Sequence, residues 1–199
     1  VILNGIECEP FITADYRILI EYADEVIRGL KYFLKASLAN KGIIAIEDNK
    51  PRAIELFNQL TADDPNISVV VCPEKYPQGS ERHLIYAVTG RVVPERALPS
   101  AVGVIVDNVA TAMQAALAVK DDLPCYERIV TVSGNAVHKP GNYRVRIGTL
   151  YSHLVEQGAQ GLKNDPARII SGGPMMGFSL HSLEFPVLKG TGGLLLFDH

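Results

Sequence analysis

The chain opens on Val1-Ile2-Leu3, an apolar run without polar alternation, which predicts a strand buried on both faces. A polar loop follows. Over residues 24–38 the period changes to 3.6: Val26, Ile27, Leu30, Phe33, Leu34 and Leu38 form one apolar stripe, which predicts an amphipathic helix. Gly42 punctuates, and Ile43-Ile44-Ala45-Ile46 predicts a second buried strand. Pro51 suits the first turn of a helix, since proline lacks an N–H that a helix start leaves unused. Ile54, Phe57 and Leu60 line that helix. Residues 67–71 predict a third strand, 81–88 a helix, 101–106 a fourth strand, and 108–119 an Ala-rich helix.

Apolar strands alternating with helices predict an α/β fold: a Rossmann-like parallel sheet covered by helices. Ligands of such sheets sit at the carboxyl ends of the strands. That rule selects the loops 4–10, 47–50, 72–81 and 107–111. The pattern changes near Asp121-Asp122-Leu123-Pro124. Residues 128–133 and 143–147 alternate as strands, and Gly134-Asn135 reads as the hairpin turn between them. Residues 149–157 predict a short helix with Thr149 as N-cap, and 168–170 a further strand. This is a small α+β module of β-grasp type. The expected organisation is a Rossmann-like domain over 1–124, the β-grasp over 125–175, and a connection over 176–199.

Composition narrows the function classes. Of 199 residues, 47% are apolar and 21% charged, with a net charge of −3, an ordinary globular profile without the clustered basic residues of a nucleic-acid binder. No apolar run approaches the roughly 20 residues that cross a bilayer, so any membrane role is peripheral. Cys8, Cys72 and Cys125 are far apart and make no CxxC pair. The chain alone is therefore expected to hold neither zinc nor an iron–sulfur cluster. Sparse, odd cysteines fit a reducing compartment. The first residue is Val1 rather than Met, inside a strand already under way, and the chain stops at Gly193-Leu194-Leu195-Leu196-Phe197-Asp198-His199. Both ends read as cut from a longer protein.

The selected loops carry the candidate chemistry. In Asn4-Gly5-Ile6-Glu7-Cys8-Glu9-Pro10, Asn4 offers donor and acceptor groups that suit a ring with mixed edges, and Glu7 and Glu9 suit ribose hydroxyls or an amide. The plain alternative is a polar turn leaving a strand. In Tyr76-Pro77-Gln78-Gly79-Ser80-Glu81, Gly79 admits close backbone approach, and the following amides suit an anion. Ordinary capping by Ser80, with Glu81 in the first turn, is the alternative. Asp107-Asn108-Val109-Ala110-Thr111 combines a cap with phosphate or ring contacts, which are compatible roles. Glu47 and Asp48 stand where dinucleotide folds place a ribose-binding acid. Gly172-Gly173-Pro174-Met175-Met176-Gly177 reads as a connection needing positive φ with packing methionines, or as a loop approaching a ligand or partner. His83, His138, His153 and His181 form no ligand-like pair. Neither GxGxxG, GxxxxGK[ST] nor GxSxG occurs. The residues alone reach a nucleotide or cofactor binder with an appended module, and no catalytic acid or base is assigned.

Four motifs in order add a resemblance. Residues 1–10 with Thr13-Ala14-Asp15 resemble the opening of the flavin domain in the C subunit of the bacterial Rnf complex. Lys75-Tyr76-Pro77-Gln78-Gly79-Ser80-Glu81 resembles its second signature, and Val106-Asp107-Asn108-Val109-Ala110-Thr111 its third. Gly172–Gly177, with Pro186-Val187 and Lys189-Gly190-Thr191, resembles the exit from its soluble-ligand-binding β-grasp domain. The flavin domain also resembles the NADH-binding flavoprotein subunit of respiratory complex I. The resemblance implies that Asn4, Glu7, Gly79, Ser80, Glu81, Asp107, Asn108 and Thr111 line an FMN site and that Glu9 lies toward NADH. It places the family's glycine-rich loop before Val1 and two [4Fe–4S] clusters after His199, so this stretch alone is expected to hold no cofactor tightly. It implies a peripheral subunit on the cytoplasmic face of the bacterial inner membrane, partnered by other subunits of an ion-translocating electron transport complex and passing electrons from NADH through FMN. The rival readings are a non-catalytic docking module and a cobalamin-type ligand on the β-grasp. In the complex I relative acidic residues replace Ile6 and Ser80, and Asn replaces Asp107; each difference changes a polar contact.

Overall fold

The computed structural model describes residues 1–199, which divide into two units. The first comprises residues 1–8 and 16–124, and the second residues 9–15 and 125–199.

Unit 1 is built on four parallel strands: β1 (Ile2–Gly5), β2 (Gly42–Glu47), β3 (Ile67–Cys72) and β4 (Val106–Asn108). Their order is β3-β2-β1-β4. Helix α1 spans Ala14–Glu21, α2 Ala23–Ser37, α3 Pro51–Thr61, α4 Glu81–Thr89 and α5 Val109–Asp121. The central strands read as apolar because both faces are covered. Ile2 and Ala45 pack with Leu84 and Ile85 of α4, while Gly5 faces Leu19 of α1 and Val109 of α5. Helices α2 and α5 cross backbone to backbone at Gly29: a Cβ there would lie 1.9 Å from the Ala112 carbonyl oxygen. Pro51 stands at the start of α3. From β1 the chain winds outward to β2 and β3, then returns to β4 on the other side of β1. The carboxyl ends of β1 and β4 therefore flank the topological switch point, where open α/β sheets bind ligands.

Two expected elements differ. The strand expected over 101–106 is a 3-10 turn at Pro99–Val102, closed by Gly103 at φ 68°, and β4 begins only at Val106. Helix α1 lies within what read as loop; its eight residues bury only Ile18 and Leu19 beyond its first turn, too short a stripe to declare a period.

Unit 2 is a five-stranded mixed sheet in the order β6-β5-β9-β7-β8. Its strands are β5 (Glu127–Ser133), β6 (Gly141–Arg146), β7 (Arg168–Ser171), β8 (Phe178–Leu180) and β9 (Gly193–Phe197). A helix, α6 (Tyr151–His153), continues as a π turn over Leu154–Gly158 and buries Tyr151, Leu154 and Val155 against Val130, Val132, Leu194 and Leu196. A hairpin, a helix and a last strand inserted parallel beside the first make a β-grasp. The stretch expected to be a connection, 176–199, carries β8 and β9. Strand β9 pairs with both β5 and β7 and is the sheet's centre, so the unit does not close at residue 175. The two-residue hairpin at Gly134-Asn135 is a longer loop, since β5 and β6 pair only from Val132 and Gly141. Gly134 is there for packing: a Cβ would lie 2.0 Å from the Leu196 carbonyl oxygen. Thr149 is not the cap; Leu150 precedes α6 without a side-chain cap bond.

Candidate functional site at the switch point

Asn4 occupies the last turn of the central strand and joins three chain segments. It pairs in register with Ala45 of β2 and Asn108 of β4. Its Nδ2 donates to the Gly79 carbonyl at 2.9 Å, and its Oδ1 accepts the Ile6 N–H at 3.1 Å. The loop after β3 is thereby fastened to the loop after β1. Gly79 suits this approach: a Cβ would meet Ile6 O at 3.0 Å and Cys8 Sγ at 3.2 Å, and those neighbours would have to give by a few tenths of an ångström. Within the same loop the Tyr76–Pro77 peptide is cis.

The other expected residues arrange around this junction to different degrees. Glu7 is buried, and its Oε2 accepts the Tyr16 N–H at 3.2 Å. Ser80 stands at the N-cap position of α4, but its hydroxyl makes no cap bond. Ser80 and Glu81 are exposed. Asn108 caps α5, its Oδ1 accepting from Ala110 N at 2.8 Å, and Asp107 Oδ1 accepts from Asn108 N at 2.9 Å. Thr111 is exposed one turn into that helix. The starts of α4 and α5 thus leave backbone N–H groups at the sheet's carboxyl edge, suited to an anion. Ile6 is buried among Cys72, Leu84 and Ile85. It seals the floor beneath the loop and offers no polar contact.

Glu9 belongs to unit 2, where its carboxylate accepts the N–H groups of Met175 at 2.9 Å and Met176 at 2.8 Å. Gly173 packs against it so tightly that a Cβ would lie 2.3 Å from Oε2. The glycine-rich segment is held by Glu9 and borders an open cavity of about 360 Å³ with Met176, Phe178 and Leu188 on its wall.

Sequence reasoning placed Glu47 and Asp48 as ribose ligands. Asp48 Oδ1 instead accepts the Glu74 N–H at 3.0 Å. Glu47 is 0% exposed and shut off from a ligand. Burial pushes its carboxyl pKa up; the nearby Lys50 ammonium opposes this, and Glu74 and Asp48 add to it. Gln78, to which the motif reading gives no role of its own, is buried in the loop after β3 with its Nε2 unpartnered. Nothing in its spacing signalled burial.

Residues 1–117 match the Nuo51 FMN-binding domain, and residues 129–179 match the SLBB domain. The chain belongs to the Nuo51 FMN-binding domain family. It is 44% identical over 194 residues to the C subunit of the proton-translocating ferredoxin:NAD(+) oxidoreductase complex of Clostridium ljungdahlii, covering 98% of this chain and 42% of that protein. It is 43% identical over 195 residues to the Na(+)-translocating counterpart of Acetobacterium woodii, covering 98% and 44%. The fold matches an NAD+-reducing [NiFe]-hydrogenase with a TM-score of 0.75 at 22% identity, over 99% of this chain and 40% of that one. The chain thus spans less than half the length of these relatives.

Proposed function

We propose that this chain contributes the FMN-facing wall of a peripheral subunit that exchanges electrons between NADH and iron–sulfur clusters elsewhere in its parent protein, within a membrane-bound ion-translocating complex. The observation that carries this reading is Asn4: a switch-point side chain that ties the second signature loop to the first. The residues suit a flavin. Two helix starts offer N–H groups, and Gln78 keeps a buried donor unpartnered beside Gly79. Bound FMN would supply hydride acceptance from NADH and release of single electrons. The chain's own residues do the rest. Asn4 holds the two loops in one geometry, Asn108 and Thr111 present the start of α5, Glu7 supplies a carboxylate at the β1 edge, and Ile6 excludes water from below. No side chain is asked to act as general acid or base. Two backbone amides hold the Glu9 carboxylate, one on each oxygen, and a second lone pair on each is left to accept from NADH. No helix of this chain is long and apolar enough to cross a membrane; the peripheral place on the cytoplasmic face belongs to the same proposal, as the side on which NADH is available.

The test is Asn4→Ala in the full-length protein. The expected result is FMN affinity at least roughly tenfold weaker, the loss of about one to two hydrogen bonds' worth of geometry, with complex assembly intact. Wild-type affinity in the variant contradicts the reading. The rival docking module draws on the exposed Met175, Met176 and Phe178 of unit 2. It requires normal assembly with no flavin bound to the wild-type protein.

A further inference from the structure

The carboxyl end of β2 holds a group that the flavin reading leaves unused. Glu47 is fully buried, and neither carboxylate oxygen has a hydrogen-bond partner. Lys50 Nζ stands 3.9 Å from Oε2 and lies over the Tyr16 ring, 5.6 Å from its centroid. The backbone N–H of Glu7 faces the same carboxylate without completing a hydrogen bond. Glu7 in turn accepts the Tyr16 N–H. Glu47, Glu7, Tyr16 and Lys50 therefore close a ring of contacts around the first signature loop. A buried anion without close donors destabilises the fold, and an apolar side chain of similar size would remove the penalty. A role other than stability is indicated.

We infer that Glu47 is a positioning residue: its carboxylate, between the Glu7 amide and the Lys50 ammonium, sets where the loop after β1 holds the Glu7 side chain. The inference rests on the FMN reading, which gives Glu7 its purpose. Ionised, Glu47 draws both neighbours inward. Protonated, it loses most of its attraction for them and the loop relaxes. The charged and titratable groups around it are Lys50, Glu74, Asp48, Glu7 and Cys72. Lys50 favours the ionised form, whereas burial, Glu74 and Asp48 favour the protonated one. One proton on Glu47 thus separates the two settings, and burial moves that protonation to higher pH than for a free glutamate.

Amide hydrogen exchange of the ligand-free full-length protein reads this directly. In the wild type, protection of residues 6–8 and of Tyr16, corrected for intrinsic exchange, falls as the pH is lowered through the titration of Glu47. Glu47→Gln shows the low-protection state at every pH, and Glu47→Asp restores part of the pH dependence. Lys50→Met leaves the carboxylate in place and moves the step to higher pH. FMN titration by fluorescence quenching follows the same pattern, with Glu47→Gln weaker by roughly tenfold on the alkaline side of the wild-type step and flat with pH. Exchange in Glu47→Gln that follows the wild-type pH profile overturns the inference, as does a Lys50→Met step that stays in place. A wild-type protein that binds no FMN would sink the flavin reading, while the exchange data still judge Glu47.

Discussion

Asn4 does two jobs with one carboxamide, and neither can be shared with an aliphatic residue. Its removal leaves the Ile6 N–H and the Gly79 carbonyl without partners in a half-buried loop. Asn4→Ala is therefore expected to lower unfolding stability by about 1–3 kcal/mol, measured by urea titration at neutral pH. At Glu47 the sign is reversed. Burial raises its folded pKa above the unfolded value, so the folded chain binds the proton more tightly. The stability this group leaves in place is greatest below the unfolded pKa and is lost as pH rises through the folded one. Glu47→Gln removes that slope. Its melting temperature is expected to equal or exceed the wild type's at neutral pH, with the gap closing as pH falls toward the ordinary carboxylate range; a gap that widens on acidification contradicts this. At this scale the sequence showed which residue types cluster at strand ends, because Asn, Gly and Glu after an apolar strand are visible in one dimension. It did not show that Glu47 and Gln78 are buried, since burial is decided by segments distant along the chain, such as the loops after β1 and β3 that face Glu47.

Among the close approaches that only glycine permits, two join elements backbone to backbone. Gly29 lets α2 meet α5 at the Ala112 carbonyl, and Gly134 lets the loop after β5 meet β9. Gly29→Ala is expected to destabilise unit 1 by about 1–3 kcal/mol or more through forced separation of the helices, visible as a lower urea midpoint. Glu9→Gln leaves one acceptor oxygen where two amides now bind a charge, and faster exchange at Met175 and Met176 is the expected sign. Elements with an unbroken signal were legible: the apolar strands β2 and β3, the stripe of α2, the proline start of α3. Those governed by turn geometry were not. Pro99 and Gly103 convert an apolar run into a 3-10 turn, and Gly134 imitates a hairpin glycine while serving the packing against β9.

The whole molecule joins a parallel α/β unit to a β-grasp, and each has a buried centre of its own. The boundary of the second was misplaced because β9 lies far along the chain from its partner β5, and adjacency in sequence says nothing about that pairing. A chain ending at residue 175 lacks the central strand, so its unit 2 is expected to give no cooperative unfolding transition, while one ending at 199 retains it. A cooperative transition in the shorter chain contradicts this account of the sheet. The FMN and NADH reading is tested most directly by anaerobic addition of NADH to the full-length protein loaded with FMN, followed in the visible flavin band. The expected result is bleaching in the wild type and its loss in Asn4→Ala at equal protein content. A bound flavin that NADH leaves oxidised, or a wild-type protein that takes up no FMN, contradicts it.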